Sequence, residues 1–221
     1  TIFYTVAAVG MKFLLGLCMA LVLSQERRLN FIWRTLLFVP WAVPTVVTAL
    51  NFRWIYDDFS GMLNNILMPL GVTDDVISWL GDPHIAMYSV VAVVVWAGTP
   101  FYTMSFLAGL QAIPRELYEA AKIDGATMLQ EFWNITLPQL RTVFTIVVML
   151  SSIWTSTNLV VVFILTNGGP ANRTQILPNL AYKAALLAGR LGFGSAINMV
   201  FFPMLALLIF FLSRRMLESR E

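Results

Sequence analysis

The sequence predicts an all-α integral membrane protein with five transmembrane helices in this chain. Three observations predict it: the composition, the length of the apolar runs and the placement of the basic residues. Of 221 residues, 58% are hydrophobic and 12% charged, and the mean hydropathy is +0.76. A soluble domain is about half apolar and about a quarter charged. Roughly 20 apolar residues cross ~30 Å of hydrocarbon. Five windows meet that need: Ile2–Leu23, Leu36–Tyr56, Ala86–Leu110, Val143–Leu165 and Ala196–Leu212. The net charge of +2 is too small to suggest nucleic acid. With Cys18 the only cysteine and His84 the only histidine, a disulfide framework and ordinary His/Cys zinc sites are excluded.

Basic residues orient the spans. Stretches 24–35, 111–142 and 213–221 hold Arg27, Arg28, Arg34, Arg115, Lys122, Arg141, Arg214, Arg215 and Arg220. The alternate stretches hold fewer: none in 57–85, and Arg173, Lys183 and Arg190 in 166–195. The first set, and the C-terminus with it, is expected in the cytoplasm. Thr1 then lies outside, so at least one upstream span is expected, for six or more in all.

The elements follow in order. Lys12 in the first span and Arg53 near the end of the second are expected to snorkel or pair at the interface. In the second span Pro40 and Pro44 surround Trp41-Ala42-Val43, with Thr45 and Thr48 beyond. Stretch 57–85 carries five Asp, and turn formers flank an amphipathic piece at Met62–Leu70. It reads as an external loop containing a surface helix. In the third span, "WAGTPFYTMS" places Gly98 and Pro100 where they weaken the helical ladder and free a carbonyl near Trp96, Phe101 and Tyr102. In the fourth, "SSIWTSTNLVV" puts Ser151, Thr155 and Asn158 at i, i+4 and i+7, one polar stripe. Such a stripe bonds to neighbouring helices or lines a water-filled path. Stretch 166–195 opens on a turn at Gly168-Gly169-Pro170 and continues as a helix along the membrane face. Gly192-Phe-Gly194 lacks the third glycine of a dinucleotide loop and reads as a turn.

The charged interruption "EAAKIDGATMLQEFWNITLPQL" lies between two of the longest uncharged runs. Pro114 suits a first helical turn. Glu116 and Glu119 near one end and Lys122 near the other suit the helix dipole. Gly125 stops the helix, and Thr127-x-x-Gln130 is a capping box that starts a second one. Leu129, Phe132, Trp133 and Thr136 give the second helix a mostly apolar face, and Pro138 marks re-entry into the membrane. Such a helix–bend–helix either links two spans or docks another protein.

Its spacing resembles a known signature. Glu119-Ala120-Ala121, three residues, Gly125, nine residues, then Ile135-x-Leu137-Pro138 resembles the EAA motif of binding-protein-dependent ABC importer permeases. "FVPWAVPTVV", "LQAIPRELYEAAKIDGA" and "LTNGGPANRT" extend the likeness, over nearly the whole chain, to the sugar branch. They resemble the first permease of maltose-, trehalose- and glycerol-phosphate-type importers. The resemblance implies a type I ABC importer permease fold: one transmembrane domain over 1–221, with a cytoplasmic coupling segment at 111–142 that fits a cleft on the ATPase. It implies a heterodimer with a second homologous permease, two ATP-binding cassette subunits, an extracytoplasmic solute-binding protein and surrounding lipid. No cofactor is expected on this chain; ATP and Mg belong to the partner ATPases. The setting implied is a bacterial or archaeal inner membrane. Glu119, Ala120, Ala121, Gly125, Ile135, Leu137 and Pro138 are the implied coupling residues. Ser151, Thr155, Asn158, Gly98 and Phe101 are implied along the substrate pathway, where aromatic rings suit sugar faces, and Thr45 and Thr48 read as pathway or gate positions.

The implied function is import of a sugar, disaccharide or polyol-like solute, without catalysis in this chain. A permease for a non-sugar solute is the alternative. A secondary transporter needs an intramembrane carboxylate or ion site, and none of the twelve acids lies in an assigned span. A membrane-embedded enzyme needs a metal cluster, a nucleophile–base pair or a Walker loop, and the sequence carries none.

Overall fold

The computed structural model describes residues 1–25 and 30–217, all helix, turn and loop, with no strand among them. Arg27, Arg28 and Arg220 lie outside the described residues. The helices are α1 (Ile2–Ser24), α2 (Asn30–Ala42), α3 (Thr45–Ile55), α4 (Met62–Leu67), α5 (Ala86–Gln111), α6 (Arg115–Ile123), α7 (Met128–Glu131), α8 (Leu137–Thr157), α9 (Val160–Leu165), α10 (Leu177–Tyr182) and α11 (Leu191–Leu217). Two π-helical turns, Phe132–Thr136 and Lys183–Leu187, join α7 to α8 and extend α10.

Among the described residues, three helical stretches are long and apolar enough to cross a membrane: Ile2–Ser24, Ala86–Gln111 and Met128–Leu165. The predicted second span is not one rod. It breaks between α2 and α3, which meet at 91°. Pro44 stands at the break in extended backbone; it has no N–H to continue a ladder and disfavours helical geometry at Val43. Counted as one span, the bent pair makes four. The predicted fifth window falls within α11, whose described Met199, Val200, Phe202, Leu207 and Phe210 are exposed.

The interruption is also different from two free-standing helices. α6 is one, but α7 runs through the π turn into α8, so the second helix is the base of a long one. Pro138 offers the physical reason: it cannot donate to the carbonyl of Asn134, and a widened turn relieves the clash. The Leu137 N–H reaches back five residues to the Phe132 carbonyl instead.

Gly192 and Gly194 belong to the first turn of α11 rather than to a separate turn. The chain reverses at Gly189, φ +66°, and a Cβ on Gly194 would fall 2.9 Å from the Ala181 carbonyl, so the glycine permits close packing on α10. Pro100 does not break α5, which runs unbroken from Ala86 to Gln111.

The core has two parts. Tyr4 and Ala8 of α1, Val90 and Val93 of α5, and Val161 and Val162 of α9 pack into one apolar cluster. Ala20 of α1, Tyr102 and Phe106 of α5, and Val147 of α8 form a second. α1 lies tight on α5 because Gly16 has no Cβ to collide with Tyr102. Between the two clusters, Lys12 of α1, Gly98 of α5, and Ser151 and Thr155 of α8 meet inside the bundle and frame the candidate site.

Beyond α3, Asp57 Oδ1 accepts from the Ser60 N–H (2.8 Å), the Ser60 hydroxyl (2.8 Å) and the Phe59 N–H (3.2 Å). These donors, the Ser60 backbone first, hold its carboxyl below the ordinary carboxylate value. Buried Asn64 of α4 ties the loop together, donating to the carbonyls of Asp58 and Ile77 and accepting from Trp79 Nε1.

Candidate functional site

Lys12 lies about halfway along α1, some ten residues and so ~15 Å from either end. Its stem is too short to snorkel that far, and the expectation of an interfacial lysine is overturned. The side chain is 4% exposed and turns into the bundle. Nζ donates to Thr155 Oγ1 at 2.7 Å and to Ser151 Oγ at 3.4 Å. Gly98, halfway along α5, makes room: a Cβ there would fall 2.7 Å from Lys12 Cδ and 3.3 Å from Nζ. Two helices, α1 and α8, thus bring polar groups together between the two apolar clusters, and α5 leaves room for them at Gly98.

This layer forms one wall of a cavity of about 320 Å³, within the ~300–1,000 Å³ range of small-molecule sites. Gly98, Phe101, Ser151, Thr155, Asn158 and Thr45 all line it, as do Lys12 and Trp154. The Phe101 and Trp154 rings meet with centroids 5.2 Å apart. Trp41 reaches the cavity because α2 and α3 bend apart just beyond it. Thr48 does not line it; its buried hydroxyl packs elsewhere, without a hydrogen-bond partner among the described residues. Asn158 sits at the α8–α9 break, not on a continuing stripe: its Oδ1 accepts from the Val160 N–H at 3.0 Å. Tyr102 does not line the cavity; its ring packs in the second apolar cluster. Arg53 stays exposed near the end of α3 and donates to the Ile164 carbonyl at 3.4 Å.

The sequence reading missed Lys12 and Trp154 as cavity residues. A lysine in mid-span was the available signal for the first, since an intramembrane cation needs a polar environment. Nothing in the sequence pairs Trp154 with Phe101.

The second candidate region is the charged segment. α6 buries none of its residues, and Glu119 and Ala120 are exposed. Gly125 has φ +76°, a left-handed bend where glycine is least hindered. Thr127 and Gln130 form the reciprocal capping box, with the Thr127 N–H to Gln130 Oε1 at 2.8 Å. Around the bend Ile123 is 87% and Met128 84% exposed. Ile135 and Leu137 are half-buried at the base of α8, and Pro138 is exposed there. A hydrogen bond of 2.9 Å between the hydroxyls of Tyr118 and Thr136 ties α6 to that base. The same long helix continues into α8, which carries Ser151 and Thr155.

Residues 12–221 match the family model described as binding-protein-dependent transport system inner membrane component. The chain belongs to this family. It is a multi-pass membrane permease, similar to the trehalose/maltose transport system permease protein MalF of Thermococcus litoralis, with 39% identity over 202 residues, 91% of this chain and 68% of that protein. It is also similar to the sulfoquinovosyl glycerol transport system permease protein SmoG of Agrobacterium fabrum, 31% identical over 204 residues, 92% of this chain and 66% of that one. Among solved structures, a chain of a bacterial ABC transporter involved in the import of the acidic polysaccharide alginate matches with a TM-score of 0.84. That match has 19% identity and covers 98% of this chain and 77% of that one, so it speaks for the fold alone: the permease has the type I ABC importer fold.

Proposed function

We propose that the permease moves a carbohydrate, delivered by an extracytoplasmic solute-binding protein, into a bacterial or archaeal cytoplasm, driven by ATP hydrolysed on partner subunits. The observation that carries the reading is the 39% identity, over 91% of the chain, to a trehalose/maltose permease. The cavity supports it physically. Aromatic rings at Phe101 and Trp154 suit the C–H faces of a sugar, while Ser151, Thr155 and Asn158 offer hydroxyl and amide groups to its edges.

In this reading the chain itself does no covalent chemistry. Residues 1–221 act as one permease domain, paired with a second homologous permease and docked on two ATP-binding cassette subunits that hold ATP and Mg. The segment 111–142 is the coupling element. Glu119, Ala120, Ala121 and Gly125 meet the ATPase, and Ile135, Leu137 and Pro138 seat the segment on α8. The exposed, amphipathic character of α6 supports this role, because a helix with no buried side chain is stabilised by what it docks on. The segment and the C-terminus are cytoplasmic.

The test is reconstitution in vesicles of the permease with its second subunit, ATPase and binding protein. Uptake of a carbohydrate with receptor-stimulated ATP hydrolysis is expected, and none of this hydrolysis from the permease alone. Uptake of an amino acid or ion with no carbohydrate, or ATPase activity in the isolated permease, would sink the reading.

A further inference from the structure

We propose that Lys12 is the cation of the substrate cavity and selects a carbohydrate bearing an anionic group, such as a uronic acid carboxylate or a sulfonate. The inference rests on the carbohydrate reading above and refines it.

The argument begins with charge. An ammonium held away from water needs a counter-charge or a full set of acceptors. Nζ has three N–H donors. Among the described residues it finds two neutral hydroxyls, Thr155 at 2.7 Å and Ser151 at 3.4 Å, and no carboxylate. The sequence extends this to the apolar helices of this chain: α1, α2, α3, α5, α8, α9 and α11 contain no Asp or Glu. No span of this chain can supply the negative charge.

The position then says where the charge comes from. Lys12 is enclosed by its own chain, between Gly98 on α5 and Thr155 on α8, and what remains open of it faces the cavity. Gly98 lets the stem through; an alanine there would collide with it. A third acceptor therefore enters by way of the cavity. That space is also walled by Phe101 and Trp154, so a ligand with one flat C–H face and one anionic group fits both features.

The experiment uses the complete transporter in nanodiscs, with the binding protein omitted so that only the membrane cavity is read. Binding of a disaccharide ending in a uronic acid, and of its neutral counterpart, is measured by saturation-transfer NMR for wild type, Lys12→Met and Lys12→Arg. Wild type is expected to bind the acidic disaccharide, and Lys12→Met to weaken it by at least about tenfold, as loss of a charge-assisted contact does. Lys12→Arg should retain most of the affinity, and the loss in Lys12→Met should be at least about tenfold larger for the acidic sugar than for the neutral one. Three results would overturn the inference while leaving carbohydrate import intact. In one, wild type binds only the neutral sugar. In another, Lys12→Met weakens both sugars equally, so Lys12 merely positions Thr155. In the third, Lys12→Met loses the second permease on size-exclusion chromatography, so the counter-charge lies on that partner. Binding of neither sugar, together with no carbohydrate uptake, would overturn both readings.

Discussion

At the scale of single residues, the site is held by contacts that one methyl group can disturb. Thr155→Val keeps the shape of the side chain and removes the 2.7 Å acceptor of Lys12. A hydrogen bond to a charged group is worth about 1.5–3 kcal/mol, so uptake should fall roughly tenfold or more. Assembly with the other subunits should be unchanged on size-exclusion chromatography. Gly98→Ala tests the same place from the opposite wall. Its Cβ would meet Lys12 Cδ at 2.7 Å and so displace the lysine, and transport should drop with the complex intact. If either variant transports at the wild-type rate, the polar layer only packs helices together.

At the scale of elements, the bend between α6 and α7 is a strongly exposed part of the proposed coupling segment. A Cβ on Gly125 would meet nothing within 4 Å, so crowding plays no part in its substitution. What a substitution disturbs is the φ of +76°. Gly125→Asp should destabilise the bend by about 1 kcal/mol and redirect the chain entering α7, whereas Gly125→Asn, which tolerates the left-handed region better, should be milder. Glu119→Lys acts through charge: it sets a like charge three residues from Lys122 on α6. Each of Gly125→Asp and Glu119→Lys should lower receptor-stimulated ATP hydrolysis through weaker ATPase association, measured by co-purification, while sugar binding by the external receptor is untouched. Normal hydrolysis in both would reduce the segment to a linker.

At the scale of the whole molecule, the outer surface is apolar over long stretches, from Phe31 and Trp33 on α2 to Phe202 on α11, as lipid or a second membrane subunit requires. The proposed topology, from the charge asymmetry, puts the 57–85 loop on the opposite side from the 111–142 segment. With exposed Cys18 replaced by serine, Asp74→Cys should react with a membrane-impermeant thiol reagent in intact cells, and Ala126→Cys only after lysis. Labelling of Ala126→Cys in intact cells would invert the topology.

What the sequence determined by itself is what local physics controls. Runs of about 20 apolar residues had to become helices, because backbone groups in hydrocarbon find partners no other way. The bend at Gly125 and the Thr127–Gln130 box were legible for the same reason: each lies within a few residues of its partners. The tertiary structure decided the rest. Whether Lys12 snorkels or enters the bundle depends on Ser151 and Thr155, 139 and 143 residues away, and on the space left by Gly98. Pro40 and Pro44 stood inside what read as one span, and the 91° angle that brings Trp41 to the cavity came with packing of α3 on α9 and of α2 on α5. Asn158 fell on the right stripe by count, yet the helix ended beneath it and its side chain turned to accept from the Val160 N–H. Periodicity fixes which residues share a face; only the assembled bundle fixes what that face meets.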